Sequence, residues 1–584
     1  MLKIAYGEAS FDNLRNRGDL YIDKTHFISL MENHTKFFFI RPRRFGKSLW
    51  LSVLHAYYDT NQKDKFDKLF DELYVQKNPT NYKNSYLILR FDFSGLNTEN
   101  EFSLKNDFNF RVRRQIISFF RYYKNFFGDS FLENAEKQFE DLSASQLISI
   151  AKEETNAIQK KVYVLIDEYD HYANKLASEG REFFIRNIVS QTGFVREFYE
   201  QMKIASGEGV FERFFITGVS PIMLDELASG FNILSDMTID PRFNEMLGFT
   251  VDEVVGCLLD KVSDERYTYK TKEEVLQDLI HYYNGYRFSD ETETKLFNSD
   301  MVLYFMEKFS AIGYPKELLD KNVKTDYGKL RGLIVGTSGK GNLQSIIEDI
   351  NLNQSLNFDL QNSFNFEKRF GDTELKSLLF YLGLLTFSEP GEMKIPNYVI
   401  RTLYWEYLQK YLEEEMNIEF DLSLLGRAIK EMAKQGTANG LRELAIDFFQ
   451  SKLSSYDYSG LTEKHVKFLF VSYFTLTKLY NLISERELSG RKRIDLLFEA
   501  HPAYYEYVFY NFILEFKYIR KKDSEEEAKQ KREEAINQAR EYFEIYKRDF
   551  KQFGRELRSL ALIVTHSREV ELIEVCGFGR KSPN

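Results

Sequence analysis

The sequence predicts an α/β protein built in three zones, and three observations lead to this fold class. Short apolar runs bounded by polar turns alternate with helical patterns up to about residue 255, which is typical of crossover units and a parallel sheet. Leu, Tyr and Phe then recur at helical spacing to about residue 455. Beyond residue 455, strand-like runs flank one long charged helical pattern. We therefore expect domains at 1–255, 256–455 and 456–584, since 584 residues exceed what one core usually supports.

The composition excludes several classes of protein. With 43% hydrophobic and 29% charged residues and nine prolines, the chain is typical of a packed protein. A net charge of -10 argues against a broadly basic surface, so any nucleic-acid contact must be a local cleft or stripe. Two cysteines exclude a disulfide framework and a cysteine metal cluster. We find no secretory signal or membrane-spanning run, and we expect a cytoplasmic protein without a membrane partner.

The first zone contains a candidate phosphate-binding loop. The strand candidate "KFFFI" is followed by "RPRRFGKSL" (41–49) and then by a helical pattern, the order that such a loop requires. Backbone N–H groups around Gly46 would surround the phosphates, Lys47 would reach the β- and γ-phosphates, and Ser48 would bind Mg²⁺. Arg41 stands where the first glycine of the usual pattern falls; with Arg43 and Arg44 it would add positive charge near the nucleotide.

Two further strand candidates supply polar groups for the same site. "VYVLIDE" (162–168) ends in Asp167, placed for Mg²⁺, and Glu168, placed to polarise the attacking water. "RFFITGVS" (213–220) ends near Thr217 and Ser220, which we expect to sense the γ-phosphate. Without these strands, Lys47 could equally be a helix-capping surface lysine.

Five motifs in order, "YIDKT", "RPRRFGKSL", "LIDEYD", "ITGVSPI" and "YYNGYRF", resemble those of the AAA-ATPase-like proteins of bacteria and archaea. The resemblance implies an additional-strand P-loop ATPase fold with Lys47, Ser48, Asp167 and Glu168 in the roles given above. For Tyr21, Asp23 and Arg287, a place near the nucleotide and a packing role stay open. The expected ATP contacts are Arg43, Arg44, Phe45, Gly46, Lys47, Ser48, Leu49, Asp167 and Thr217.

The last zone contains a candidate metal site. In the strand candidate "YNFILEFKYI" (510–519), Glu515 and Lys517 are two residues apart and so lie on one face. A hairpin would bring Asp495, from "RKRIDLLFEA", beside them. Two carboxylates and a lysine suit metal-assisted phosphodiester cleavage, and burying such charges unpaired is costly. An edge strand with Glu and Lys facing solvent is the alternative explanation.

The same residues, and the order of helix and strands around them, resemble the PD-(D/E)XK nuclease superfamily. The resemblance implies that Asp495 and Glu515 bind Mg²⁺ or Mn²⁺ and that Lys517 is catalytic. It also implies that Glu485 or Glu487, at the end of the preceding helix, completes the metal shell. Gln538 matches a polar position near the scissile phosphate.

The middle zone is less informative. "LKSLLFYLGLLTF" and "MKIPNYVIRTLYWEYL" predict a helix, a hairpin and a helix, either as a winged-helix element or as simple packing. The eight histidines form no metal-binding spacing.

The combined expectation is an ATPase fused to a metal-dependent nuclease that cleaves nucleic acid, DNA rather than RNA, with nucleotide state governing access to the nuclease site. The resemblance connects such proteins with mobile elements and anti-phage defence. The alternative is a nucleotide-dependent switch or scaffold whose last domain binds nucleic acid or a partner without cutting. Formation of a homo-oligomer is left open.

Overall fold

A computed structural model gives the structure of the chain. It describes residues 3–95, 101–128, 137–171, 173–174, 193–222, 232–325, 345–346, 349–350, 355–362, 364, 370–415, 421–452, 463–474, 477–489, 492–550 and 554–577. Among these residues, the helices are all too short or too polar to cross a membrane.

A five-stranded parallel sheet forms the centre of the N-terminal zone. Its order is β2-β3-β4-β1-β5, so β4 lies between β1 and β3. This inserted strand confirms the additional-strand arrangement that the sequence predicts. Phe37, Phe38 and Phe39 are fully buried because helices cover both faces of the sheet. The strands are β1 (Lys36–Ile40), β2 (Leu87–Asp92), β3 (Val162–Asp167), β4 (Phe211–Gly218) and β5 (Ser235–Asp236).

The helices of this zone connect the strands, and several begin with a side-chain cap. Ser143, for example, forms a capping box with Gln146. The helices are α1 (Phe11–Arg17), α2 (Phe27–Met31), α3 (Lys47–Tyr58), α4 (Phe66–Leu69), α5 (Tyr74–Lys77), α6 (Glu101–Tyr122), α7 (Lys124–Phe127), α8 (Ala144–Ala157) and α9 (Phe194–Gly207).

The middle zone is mainly helical and contains the expected hairpin. Strands β7 (Thr386–Glu389) and β8 (Glu392–Lys394) pair antiparallel, and β6 (Ser355–Asn357) adds to β8. The helices are α10 (Val251–Cys257), α11 (Lys272–Tyr283), α12 (Ser299–Ile312), α13 (Asp372–Tyr381), α14 (Tyr398–Glu415), α15 (Leu422–Gln435) and α16 (Asn439–Ile446). The last two lie against the C-terminal sheet, since the Phe509 N–H donates to the Ala433 carbonyl at 2.8 Å.

The C-terminal zone is a second α/β unit. Helix α17 (Glu463–Phe474) precedes β9 (Tyr480–Leu488), β10 (Lys492–Ala500) and β11 (Tyr510–Ile519). Helix α18 (Glu525–Asp549) then leads to β12 (Glu556–Thr565) and β13 (Val570–Cys576). The sheet order is β13-β12-β11-β10-β9, with only β11 and β12 parallel among the described pairs.

Strand β9 corrects one expectation. Glu485 and Glu487 do not lie at the end of a helix, because α17 ends at Phe474 and residues 480–488 pair with β10. The side chains of both glutamates lie outside the described part of the chain. The pairing of Ile494 with Arg486 and of Leu496 with Ser484 fixes the register on either side of Asp495.

Candidate nucleotide and nuclease sites

The loop between β1 and α3 has the backbone form of an anion-binding turn. Arg44 and Gly46 adopt left-handed conformations, with φ of 71° and 89°. Such residues form concave turns of backbone N–H groups, and Gly46 is also the N-cap of α3. The loop thus directs the N-terminus of α3 toward a cleft of about 460 Å³. The predicted loop residues that line this cleft are Arg43, Arg44, Phe45, Gly46, Lys47, Ser48 and Leu49.

Lys47 lies at the floor of the cleft and is only 7% exposed. Its ammonium donates to the carbonyls of Arg41 and Pro42, both at 2.9 Å. Burial lowers the pKa of Lys47 to about 8, although the nearby carboxylates of Glu168 and Asp167 act to raise it. A phosphate group would offer this ammonium a stronger, charged acceptor than the two carbonyls.

The carboxylates at the end of β3 have distinct partners. Asp167 is hydrogen-bonded to Ser48, and burial raises the pKa of its carboxyl group. Glu168 has φ of 48°, and its Oε2 lies 2.8 Å from Nδ1 of His171. Burial acts to raise the pKa of Glu168, but the hydrogen bond and charge of His171 outweigh it, and the pKa falls to about 2. Asp167 and Ser48 together can hold Mg²⁺, while Glu168 is an ionised hydrogen-bond acceptor.

The N-terminus of α12, in the middle zone, holds the loop in place. The Asn298 amide donates to the Arg43 carbonyl, and the Ser299 hydroxyl and Asp300 N–H donate to the Arg44 carbonyl, each at 3.2 Å. Asp300 also pairs with the Arg44 guanidinium at 3.1 Å. The candidate phosphate-binding loop is therefore attached directly to the middle zone.

Arg41 has a structural role, which corrects the expectation that it lies near the nucleotide. Its guanidinium is 1% exposed and lies over the rings of Phe39 and Phe288, 3.9 and 4.2 Å from their centroids. It donates to the carbonyls of Ile40, Thr238 and Phe243. The Arg41 guanidinium thus contacts carbonyl oxygens and aromatic rings inside the protein, beside the sheet.

Thr217 and Ser220 also have structural partners. The Thr217 hydroxyl is fully buried and donates to the Phe39 carbonyl at 2.6 Å, so it joins β4 to β1 and does not face the cleft. Ser220 donates through its N–H and hydroxyl to Asp170, whose carboxylate also accepts from the Val219 N–H. The structure does not support a γ-phosphate contact for either residue.

Of the three residues left open, the structure brings Tyr21 to the cleft. Asp23 accepts hydrogen bonds from Thr25 and from the Tyr74 N–H, which is a turn-stabilising role. Arg287 is buried beside the hairpin of the middle zone, where its backbone N–H donates to the Thr386 hydroxyl.

In the C-terminal zone, β10 and β11 bring Asp495 and Glu515 into contact. The register pairs Leu496 with Leu514. The next positions along the two antiparallel strands are Asp495 and Glu515, which therefore stand opposite each other. The Asp495 N–H donates to Glu515 Oε1 at 3.2 Å, and the Phe516 N–H donates to Asp495 Oδ2 at 2.8 Å. Glu515 is 2% exposed, and burial and the charge of Asp495 raise its pKa well above the ordinary value.

Two cationic groups lie near these carboxylates, and the predicted phosphate-side residue Gln538 lies on the long helix of this domain. Lys517 lies on the same face of β11 as Glu515, and its ammonium is 4.0 Å from Glu534 of α18. Lys467 of α17 donates to Asp495 Oδ1 at 2.7 Å. On α18, Gln538 has a buried Oε1 without a hydrogen-bond partner among the described residues.

The donor set fits a divalent cation. Asp495 and Glu515, which lie on neighbouring strands and are linked by the Asp495 N–H, offer the hard carboxylate oxygens that Mg²⁺ and Mn²⁺ prefer. Within the described residues, no group of three or more His, Cys, Asp or Glu side chains forms a metal site. Asp495 and Glu515 would therefore hold the ion together with waters or substrate oxygens.

Comparison with known families assigns both ends of the chain. Residues 5–228 match the family model described as "Predicted AAA-ATPase", and residues 461–573 match the model described as "PD-(D/E)XK nuclease superfamily". One match thus lies in each of the two regions whose motifs resemble these families. It is also similar to an Azotobacter chroococcum mcd 1 protein named "Uncharacterized protein in vnfD 5'region", at 23% identity over 524 residues, which are 86% of this chain and 89% of that protein.

Sequence reasoning missed three groups that contact the two sites. In the AAA-ATPase-like domain, His171 follows "LIDEYD" directly, and its spacing of three from Glu168 on a helical turn is the signal that could have shown the pair. The N-terminus of α12 is far from the loop in sequence. In the nuclease superfamily domain, Lys467 lies 28 residues before Asp495 and carries no local signal.

Proposed function

We propose that the chain binds and hydrolyses ATP in its N-terminal domain and cleaves DNA with its C-terminal domain. The observation that carries the nuclease proposal is the buried contact between Asp495 and Glu515, with Lys517 on the same strand face. A buried carboxylate beside a partly buried one is repelled by it, so the folded protein keeps the pair at a cost that a bound cation relieves.

In the proposed ATPase site, each residue has a defined task. Backbone N–H groups at the N-terminus of α3 and the Lys47 ammonium bind the β- and γ-phosphates. Ser48 and Asp167 hold Mg²⁺, which offsets the charge of the phosphates. Glu168 orients the attacking water, and His171 fixes the position of the Glu168 carboxylate through their 2.8 Å contact.

In the proposed nuclease site, Asp495 and Glu515 hold the metal and Lys517 orients the attacking water. A metal ion in such a site lowers the pKa of bound water and offsets charge on the phosphate. The 4.0 Å separation of Lys517 and Glu534 limits where the lysine ammonium can lie. Gln538 lines a groove along α18 and has a buried amide oxygen without a partner among the described residues, and we propose that it contacts the substrate there.

We further propose that nucleotide state governs the nuclease. Helix α12 contacts the phosphate loop, as described above, and α11 of the same zone contacts β9: the Asn481 amide donates to the Tyr282 hydroxyl at 2.7 Å. The Leu482 N–H donates to the Tyr398 hydroxyl of α14 at 3.1 Å. Because β9 pairs with β10, which carries Asp495, a shift of the middle zone on ATP binding reaches the strand that holds the metal ligand.

The nuclease proposal is tested by incubating the full-length protein with labelled single- and double-stranded DNA and RNA, with Mg²⁺ or Mn²⁺. DNA cleavage that is lost on Asp495→Ala supports the proposal. Binding of DNA without cleavage under all these conditions favours the alternative of a nucleotide-dependent switch or scaffold. Anti-phage defence is the setting that we propose for such an activity, and it rests on the fusion of an ATPase to a nuclease.

A further inference from the structure

The nuclease site contains a cation of the protein's own. The Lys467 ammonium lies 2.7 Å from Asp495 Oδ1, and the two side chains are 17% and 21% exposed. This lysine thus offsets negative charge on one of the two candidate metal ligands.

The contacts of Asp495 show why this lysine matters for a metal. One carboxylate oxygen accepts from the Phe516 N–H and is held by the backbone of β11. The other oxygen, Oδ1, is the acceptor for Lys467. An ammonium can only donate hydrogen bonds, and a divalent cation needs the lone pairs that those donors use. Lys467 and the metal therefore compete for the same oxygen atom.

We propose that Lys467 is an internal counter-cation of the nuclease site: it neutralises Asp495 when no metal is bound and leaves Asp495 Oδ1 when a divalent cation binds. This inference rests on the proposed nuclease function of the same site. The flexible four-carbon stem of lysine lets the ammonium move without movement of α17. The competition makes the metal affinity lower than the carboxylates alone would give.

The first test measures Mn²⁺ binding to the nucleotide-free, full-length protein by the loss of the free Mn²⁺ signal in electron paramagnetic resonance. The ions counted are those whose binding is lost in Asp495→Asn. Lys467→Met keeps an unbranched side chain of nearly the same length and removes the charge. We expect it to bind Mn²⁺ about tenfold more tightly, which corresponds to removal of a competing interaction of about 1.4 kcal/mol.

Lys531→Met is the matched control. Lys531 also pairs with a carboxylate, Asp523, at 2.6 Å within the same domain, but it lies at the start of α18 and contacts neither candidate ligand. Its Mn²⁺ affinity should equal that of the wild type. A Lys467→Met affinity equal to or weaker than that of the wild type would overturn the inference.

A second measurement separates a counter-cation from a merely structural lysine. Without metal, Lys467→Met should lower the melting temperature, because Asp495 loses its neutralising charge. At saturating Mn²⁺ the difference from the wild type should shrink, since the metal then supplies that charge. A decrease of the same size with and without Mn²⁺ would show that Lys467 only supports the fold.

The two proposals fail in different ways. If the wild type binds Mn²⁺ through Asp495 and Lys467→Met changes nothing, the counter-cation inference fails and the metal site stands. If neither the wild type nor Lys467→Met binds Mn²⁺ in a manner that depends on Asp495, both proposals fail.

Discussion

Replacing Lys47 by alanine should separate ATP binding from folding. The Lys47 ammonium has two backbone carbonyls as acceptors, and in the complex a phosphate replaces them. A hydrogen bond to a charged group contributes about 1.5–3 kcal/mol. Loss of this ammonium should therefore weaken ATP binding by about tenfold to a hundredfold, at 1.4 kcal/mol for each factor of ten.

The fold should tolerate the same substitution. The decrease of the Lys47 pKa to about 8 means that the folded protein disfavours the buried ammonium, by roughly 3 kcal/mol at 1.36 kcal/mol per pKa unit. Removing that ammonium offsets the cost of leaving two carbonyls without a donor, about 1–3 kcal/mol each. Alanine also favours the first turn of α3. We expect a melting temperature close to that of the wild type.

Isothermal titration calorimetry with ATP and Mg²⁺ measures the affinity, and differential scanning calorimetry measures the stability. Lys161→Ala is the control, because Lys161 also donates to a backbone carbonyl, that of Gly209 at 2.6 Å, but lies outside the cleft. Wild-type ATP affinity in Lys47→Ala would refute the assignment of the loop. A large decrease in melting temperature would show that the lost hydrogen bonds to the two carbonyls cost more stability than removal of the buried ammonium restores.

Three further predictions concern the chemistry of the two sites. Glu168→Gln should keep ATP binding and lower the ATP turnover rate by about 10²–10⁴-fold in a phosphate-release assay. A near-normal turnover rate would show that Glu168 does not orient the attacking water. Because the pKa of Lys47 is about 8 in the ATP-free protein and phosphate favours the ammonium, ATP affinity should weaken as the pH rises through 8. Calorimetry in two buffers should then show proton uptake, and constant affinity from below to well above this pH would contradict the prediction. Asp495→Ala, Glu515→Ala and Lys517→Ala should each abolish DNA cleavage on gels while phosphate release continues; a variant that still cleaves excludes that residue from catalysis.

Local sequence was sufficient for the elements that burial specifies. "KFFFI" and "VYVLIDE" predict strands because continuous apolar runs suit a sheet that is covered on both faces. The structure has strands β1 and β3 at these two stretches. The sequence also predicts that Glu515 lies beside Asp495. Side chains alternate between the two faces of a strand, and one hairpin pairs the two strands, so the face on which each residue lies is fixed. The P-loop and the strand pair therefore follow from patterns of a few residues.

The remaining features depend on contacts between distant parts of the chain. Arg41 is a residue type that often binds phosphate, and its position in the loop favours that role. Its contacts with the rings of Phe39 and Phe288 and with three backbone carbonyls, which local sequence does not show, make it a buried structural residue. Strand β9 was missed because "SEREL" has the polar character of a helix end, and pairing with β10 overrides that tendency. The Lys467 contact with Asp495 depends on how α17 packs on the sheet.

The most direct test of coupling between the two domains is the rate of DNA cleavage by the full-length protein with and without ATP. Wild type and Lys47→Ala are compared at saturating Mg²⁺ or Mn²⁺, with the nuclease residues intact. The ATP concentration is set at about the level that saturates the wild type, which leaves Lys47→Ala mostly ATP-free because its affinity is weaker. We predict that ATP changes the wild-type rate by about fivefold or more, the lower range of typical coupling between sites, and that Lys47→Ala keeps the ATP-free rate when ATP is added. Equal cleavage rates in all four combinations of protein and nucleotide would contradict the account.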